Sequence, residues 1–120
     1  MTNHEKTQSW YRNEAGKDLC QCESCKNYYR NIRRTYPDLS AYLSSLGIDI
    51  EKPLETWSVE QEDGKLLYPE AMYVIIGSSD SFQPFAVGNI AAEKEESFPS
   101  ADIKDEYCVI SLHGIVLEKN

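Results

Sequence analysis

Residues 56–76 read TWSVEQEDGKLLYPEAMYVII, and the architecture of the chain turns on how this stretch divides. Thr56–Gln61 alternates and places Trp57, Val59 and Gln61 on one face, the two-residue period of a half-buried strand. Asp63-Gly64 is a strong tight-turn signal between that run and Leu66-Leu67-Tyr68, so the two form a hairpin. Pro69 breaks the second run, because proline brings no N–H to a ladder. Met72–Ile76 is a short, continuous apolar segment of the kind that makes a central strand. The back half of the chain is therefore read as a sheet.

The downstream sequence extends it. Gly77–Pro84 (GSSDSFQP) has loop composition. Phe85–Ala92 and Tyr107–Lys119 are the last two strands. Between them Glu93–Glu106 is acidic and carries Pro99, which suits a long loop or a short helix. Strands that follow strands through short connections favour antiparallel pairing.

Upstream the period changes. Leu39, Tyr42, Leu43 and Leu46 fall at i, i+3, i+4 and i+7, one apolar helical stripe. Pro37 and Asp38 suit its first turn. Gly47 is the left-handed stop, and Ile48 supplies the contact that accompanies it. An earlier helix carries Tyr28, Ile32 and Tyr36 on one face, with Ser24 as N-cap and Pro37 as terminator. Arg30, Arg33 and Arg34 form the solvated face of that helix. Residues 1–18 show no periodicity and are expected to be loosely packed, with Trp10 and Tyr11 as anchors. The prediction is one α+β domain over 1–120. A helical, cysteine-bearing front (1–50) packs two helices on a mostly antiparallel sheet of about four to five strands (54–120).

Length and composition fit that reading. The chain has 120 residues, 41% hydrophobic and 27% charged, ordinary usage for one globular domain. No window approaches the apolar length of a membrane span. The polar start MTNHEKTQSW lacks a signal-peptide pattern, so a cytoplasmic location is expected. The formal net charge of −8 is uneven: +3 over residues 1–36 and −11 over 37–120. An acidic body repels phosphates and argues against nucleic acid, and it would attract a basic protein partner.

The specific chemical signal is Cys20, Cys22 and Cys25, three thiols within six residues. In a reducing compartment clustered thiols bind metal or do redox work more often than they form permanent disulfides. Soft thiolates at this density suit zinc, which takes four ligands in a tetrahedron. The positive end of the following helix faces the site and favours anionic sulfur. The fourth ligand must come from elsewhere, from Cys108, His113 or His4, or from water or a carboxylate. Cys108 and His113 are five residues apart in one predicted strand, so they point to opposite faces and at most one can reach the cluster. On this reading Cys108 shares a face with Ile110, Leu112 and Val116, while His113 shares the other with Tyr107, Val109, Ile115 and Leu117. Competing readings are free reduced thiols, reversible disulfide chemistry, and an iron–sulfur centre completed by Cys108. There is no phosphate-binding loop, dinucleotide fingerprint, metalloprotease helix or nucleophile elbow, so no catalytic residue is assigned.

Cys20, Cys22, Cys25 and Asn27, followed by Tyr36-Pro37-Asp38-Leu39, Leu46-Gly47-Ile48-Asp49 and Lys52-Pro53, resemble a small bacterial protein family with no assigned activity. The resemblance covers about a third of the chain and implies that thiols and second helix form one unit, without a mechanism. In size and charge alone the chain also resembles the immunity partners of secreted bacterial toxins. The functional expectation is a zinc-stabilised, non-enzymatic protein-interaction module, an immunity-type inhibitor being one form of it. The alternative is a thiol-based redox enzyme or sensor using Cys20, Cys22 and Cys25.

Overall fold

The computed structural model describes residues 3–15, 19–78, 82–98 and 103–119. Three helices come first: α1 (Asn3–Asn13), α2 (Glu23–Thr35) and α3 (Pro37–Ser45). Six strands follow: β1 (Glu55–Glu60), β2 (Leu66–Ile76), β3 (Phe85–Val87), β4 (Ile90–Lys94), β5 (Tyr107–His113) and β6 (Ile115–Leu117). They form one antiparallel sheet in the order β1-β2-β5-β4-β3, with β6 also paired to β2. The α+β architecture expected from the sequence is present, with a third helix that the sequence did not signal.

The predicted hairpin is there. Gly64 has φ 84°, and Asp63 accepts from the Lys65 backbone N–H at 3.0 Å, which closes the turn. Pro69, however, does not end the second strand. β2 runs through it for eleven residues. It is accommodated within the sheet instead. Against β1 the register slips between Trp57 and Val59, a bulge that sets two β2 residues opposite one. On the other side the ladder is interrupted opposite Pro69, at Gly114 between His113 and Ile115, and His113 Nδ1 lies 3.1 Å from the Pro69 carbonyl. The expected strand Tyr107–Lys119 is thus β5 and β6, divided at Gly114, where φ is 94°.

This break changes which residues share a face. Leu66 and Tyr68 lie in the same buried cluster as Ala71 and Tyr73, and Leu112 in the same cluster as Ile115. Each pair spans an odd step, so both strands switch sides together at Pro69 and Gly114. Ile115 and Leu117 therefore join Ile110 and Leu112 beneath the helices rather than sharing a face with His113. Tyr28, Ile32, Leu39 and Leu43 press onto that face from α2 and α3. Phe85–Ala92, expected as one strand, is a hairpin turning at Gly88, where φ is 59°. The acidic segment begins as strand, since β4 continues to Lys94, and Pro99 lies outside the described residues.

α3 ends as predicted: Gly47 has φ 88°, and the Ile48 N–H donates to the Leu43 carbonyl at 3.0 Å. A Cβ at Gly47 would lie 2.6 Å from the His4 carbonyl oxygen, so this glycine also lets α1 approach. α1 corrects the expectation of a loosely packed start, although residues 16–18 lie outside the described stretch. Its buried residues Thr7 and Tyr11 are one helical turn apart and face the edge of β2 where β1 has run out. The Tyr11 hydroxyl donates to the Val74 carbonyl at 2.9 Å and accepts from the Val74 N–H at 2.8 Å. Thr7 Oγ1 accepts from the Ile76 N–H at 3.0 Å. Side-chain hydroxyls thus do what a neighbouring strand would do, and they cover an edge that would otherwise invite pairing. Tyr36 repeats the device on β6, donating to the Val116 carbonyl at 3.2 Å and accepting from its N–H at 3.0 Å.

Tyr11→Phe keeps the ring and removes both bonds to Val74. The expected result is a loss of about 1–3 kcal/mol in urea unfolding, the cost of stranding buried polar groups, together with faster hydrogen exchange at the Val74 amide. Unchanged stability and exchange would show that the hydroxyl is dispensable.

Candidate metal centre

The three sulfurs of Cys20, Cys22 and Cys25 all lie within 4.8 Å of one another. Local backbone geometry explains why. Cys22, not Ser24, is the N-cap of α2: its φ and ψ are −68° and 160°, and its Sγ accepts from the Cys25 N–H at 3.4 Å. A cap side chain must reach back over the first turn, and this brings the sulfur of Cys22 over Cys25. One step upstream, the Cys22 N–H donates to Cys20 Sγ at 3.5 Å. Two sulfurs are therefore held by backbone donors, and that of Cys22 sits at the positive end of the helix, a setting that favours its thiolate.

Tertiary contacts fix the helix end on the sheet. The Tyr68 hydroxyl donates to the Ser24 carbonyl at 2.6 Å, and Ser24 also meets Ser58 of β1 through its hydroxyl. Cys25 Sγ lies 3.5 Å from Thr56 Oγ1, and the Tyr29 hydroxyl donates to the Cys20 carbonyl at 3.0 Å. Cys20 and Cys22 are exposed and Cys25 is buried. A cavity of about 280 Å³ opens beside the cluster, lined by Cys20, Cys25, Tyr29, Leu54, Glu55 and Thr56.

The thiols are not equivalent. The Cys25 N–H, and then contacts with Cys20 and Cys25, hold the Cys22 thiol below its usual range. Burial pushes Cys25 up to about 12, against the bond to Thr56. A coordinated cation outweighs such a burial cost, since a metal-bound thiol is deprotonated outright. Three soft donors at this spacing can hold a metal ion.

The remote candidates are placed elsewhere. Cys108 is buried in β5 opposite Ile75, and burial raises its thiol pKa against the pull of Lys94. His113 is partly buried at the break in the ladder, beside the Pro69 carbonyl. His4 is exposed on α1. Among the described residues no fourth His, Cys, Asp or Glu joins the three sulfurs. Sequence reasoning missed Tyr29, one helical turn after Cys25 on α2, and also Thr56 and the cavity wall beside it, which come to the cluster through chain reversal and carry no local signal. It could have found Cys22 as the cap by asking which side chain precedes the helix, but cysteine is not among the usual capping residues.

The arginine run is engaged within the chain. Arg33 pairs with Glu51 at 2.8 Å and Asp49 at 3.0 Å, and Arg34 donates to Asn31. Among the described residues no helix is long and apolar enough to cross a membrane.

Titrating the metal-free protein with Co(II) should give one equivalent bound, with thiolate charge-transfer absorption. Alanine at Cys20, Cys22 or Cys25 should weaken binding by at least about tenfold, the lower end of what loss of even an outer-shell partner costs. Cys108→Ser and His113→Ala should bind as the parent does, and a loss in either would identify that residue as the fourth ligand. No protein-family model, curated protein or solved structure matches the chain, so the reading of this centre stands on its donors and their geometry.

Proposed function

We propose that the chain is a zinc-stabilised, non-enzymatic protein-interaction module of the cytoplasm. The observation that carries this reading is the group of three sulfurs at the start of α2. Zinc suits them because it accepts an all-sulfur or mixed sulfur environment without redox change. Its role is structural: a metal at this point closes the chain from Cys20 onto the first turn of α2, which already touches Thr56 and Ser58 of β1. One clamp then fastens the helical front to the sheet. The remaining ligand position is filled from outside the cluster, by water or a carboxylate or by a protein donor that moves on binding.

The interaction role is supported by the acidic body, −11 over residues 37–120, and by the lack of any catalytic constellation in the sequence. A basic partner is the natural complement, and an immunity-type inhibitor of a secreted toxin is one form such a module takes. A second reading has its own support. Cys20 and Cys22 are exposed beside one another, as attacking and resolving thiols of a redox sensor are.

Elemental mass spectrometry of the purified, untagged protein, with a free-thiol count, separates the two. The structural reading expects about one zinc per chain, thiols that react only after chelation, and a melting midpoint lowered by more than about 4–8 °C on metal removal, the shift that 1 kcal/mol gives in a domain this small. Absence of zinc, with thiols that react freely and form a reversible disulfide, would overturn it in favour of redox sensing.

A further inference from the structure

The sheet face turned away from α2 and α3 is covered unevenly. Met72, Val74, Ile76 and Val109 are buried there, packed with Trp10, Leu54, Ile103 and Tyr107. Nearer the free edge the cover stops: Trp57 is 50% and Val59 47% exposed. These are two of the largest exposed apolar side chains among the described residues, and they stand two apart on the same face of β1.

The ladder fixes what surrounds them. Trp57 is directly opposite Glu70, and Val59 opposite Leu67. Glu55 precedes Trp57 on the same face. The indole is therefore flanked by one carboxylate along the strand and one across it, at the close spacing of cross-strand neighbours. Neither Glu55 nor Glu70 enters any of the ion pairs among the described residues, whereas nearby Glu60 and Glu118 are matched by Lys119 and Lys65. An exposed indole attracts a cation through its π face, and two unmatched carboxylates beside it add to that attraction. Among the described residues β1 is also the last strand of the sheet, paired on one side only. An edge strand offers its outer N–H and C=O groups to an added strand.

We propose that this edge is a docking site for an extended, arginine- or lysine-bearing segment of a partner protein. The segment pairs with the outer side of β1. A cationic side chain lies over Trp57 between Glu55 and Glu70, and an apolar side chain two residues on rests against Val59. Charge selects this occupant over a second copy of the chain, since two bodies of net charge −8 repel. The proposal deepens, and rests on, the reading of the domain as an interaction module.

The test is NMR titration of the zinc-loaded, isotope-labelled protein with a short threonine-spaced peptide that carries arginine and valine two residues apart, and separately with its glutamate-for-arginine counterpart. Trp57→Phe assigns the Trp57 indole signal. The expected result is a shift of that indole and of the β1 amides with the arginine peptide alone. Binding should weaken at least fivefold in Glu55→Gln/Glu70→Gln, whose unperturbed remaining amides report an intact fold. Undiminished binding by that variant, or equal binding of the glutamate peptide, overturns the carboxylate pairing. Shifts confined to another surface overturn the site while leaving a module that binds cationic segments. Concentration-dependent shifts without peptide would make a second copy the occupant. Silence everywhere with both peptides removes the site and the cationic-partner reading together, while the zinc measurement stands apart from all of these outcomes.

Discussion

A proline in the middle of the central strand is the constraint around which this molecule is arranged. Pro69 brings no N–H to the ladder, yet β2 has to continue, because it pairs with β1, β5 and β6. β2 itself bulges against β1, with Tyr68 and Pro69 opposite Ser58, and the strand on its other side parts at Gly114, whose positive φ lets the chain switch faces in step with β2. The switch puts Leu66, Tyr68, Ile115 and Leu117 under the helices together with Tyr73, Ile110 and Leu112. Without it, alternation would carry one half of the apolar set to the solvent side.

The bent sheet leaves backbone groups without strand partners, and tyrosine hydroxyls take them. Tyr11 and Tyr36 each accept one N–H and donate to the carbonyl of the same residue, Val74 in β2 and Val116 in β6. In the interior Tyr73 gives its single proton to the Ile50 carbonyl, so its contact with the Tyr28 hydroxyl is one in which Tyr28 donates. Burial holds the Tyr11 and Tyr73 hydroxyls protonated far above the ordinary tyrosine range. A high tyrosine count, which composition alone assigns to packing, is here also a hydrogen-bonding framework that holds helices to sheet edges.

That framework sets the position of the thiol cluster. Tyr68 anchors the Ser24 carbonyl, and Thr56 and Ser58 meet Cys25 and Ser24 from β1. The start of α2 is therefore held over one face of β1, while Trp57 and Val59 project from the other. Thiol cluster and exposed edge are two sides of the same short strand. A metal held by the sulfurs would order α2 on β1, and with it the strand whose far face is proposed to meet a partner.

The sequence by itself determined the helices whose apolar stripes repeat within a few residues, the Asp63-Gly64 hairpin, the stop at Gly47, and the grouping of Cys20, Cys22 and Cys25. All of these are local: the period of side chains, the φ that glycine allows and the reach of a six-residue loop do not wait on the rest of the chain. α1 was illegible because only Thr7 and Tyr11 are buried, and their polar atoms serve backbone groups 69 and 63 residues away. The strand through Pro69 was illegible because its continuation depends on partners distant in sequence, β1 across the bulge and the chain break at Gly114 on the other side. The face assignments of Ile115 and Val116 failed for the same reason. Whether Cys108 or His113 could reach the sulfurs was likewise decided by tertiary structure alone, because strand parity limits a side chain to one face but says nothing of which element lies above it.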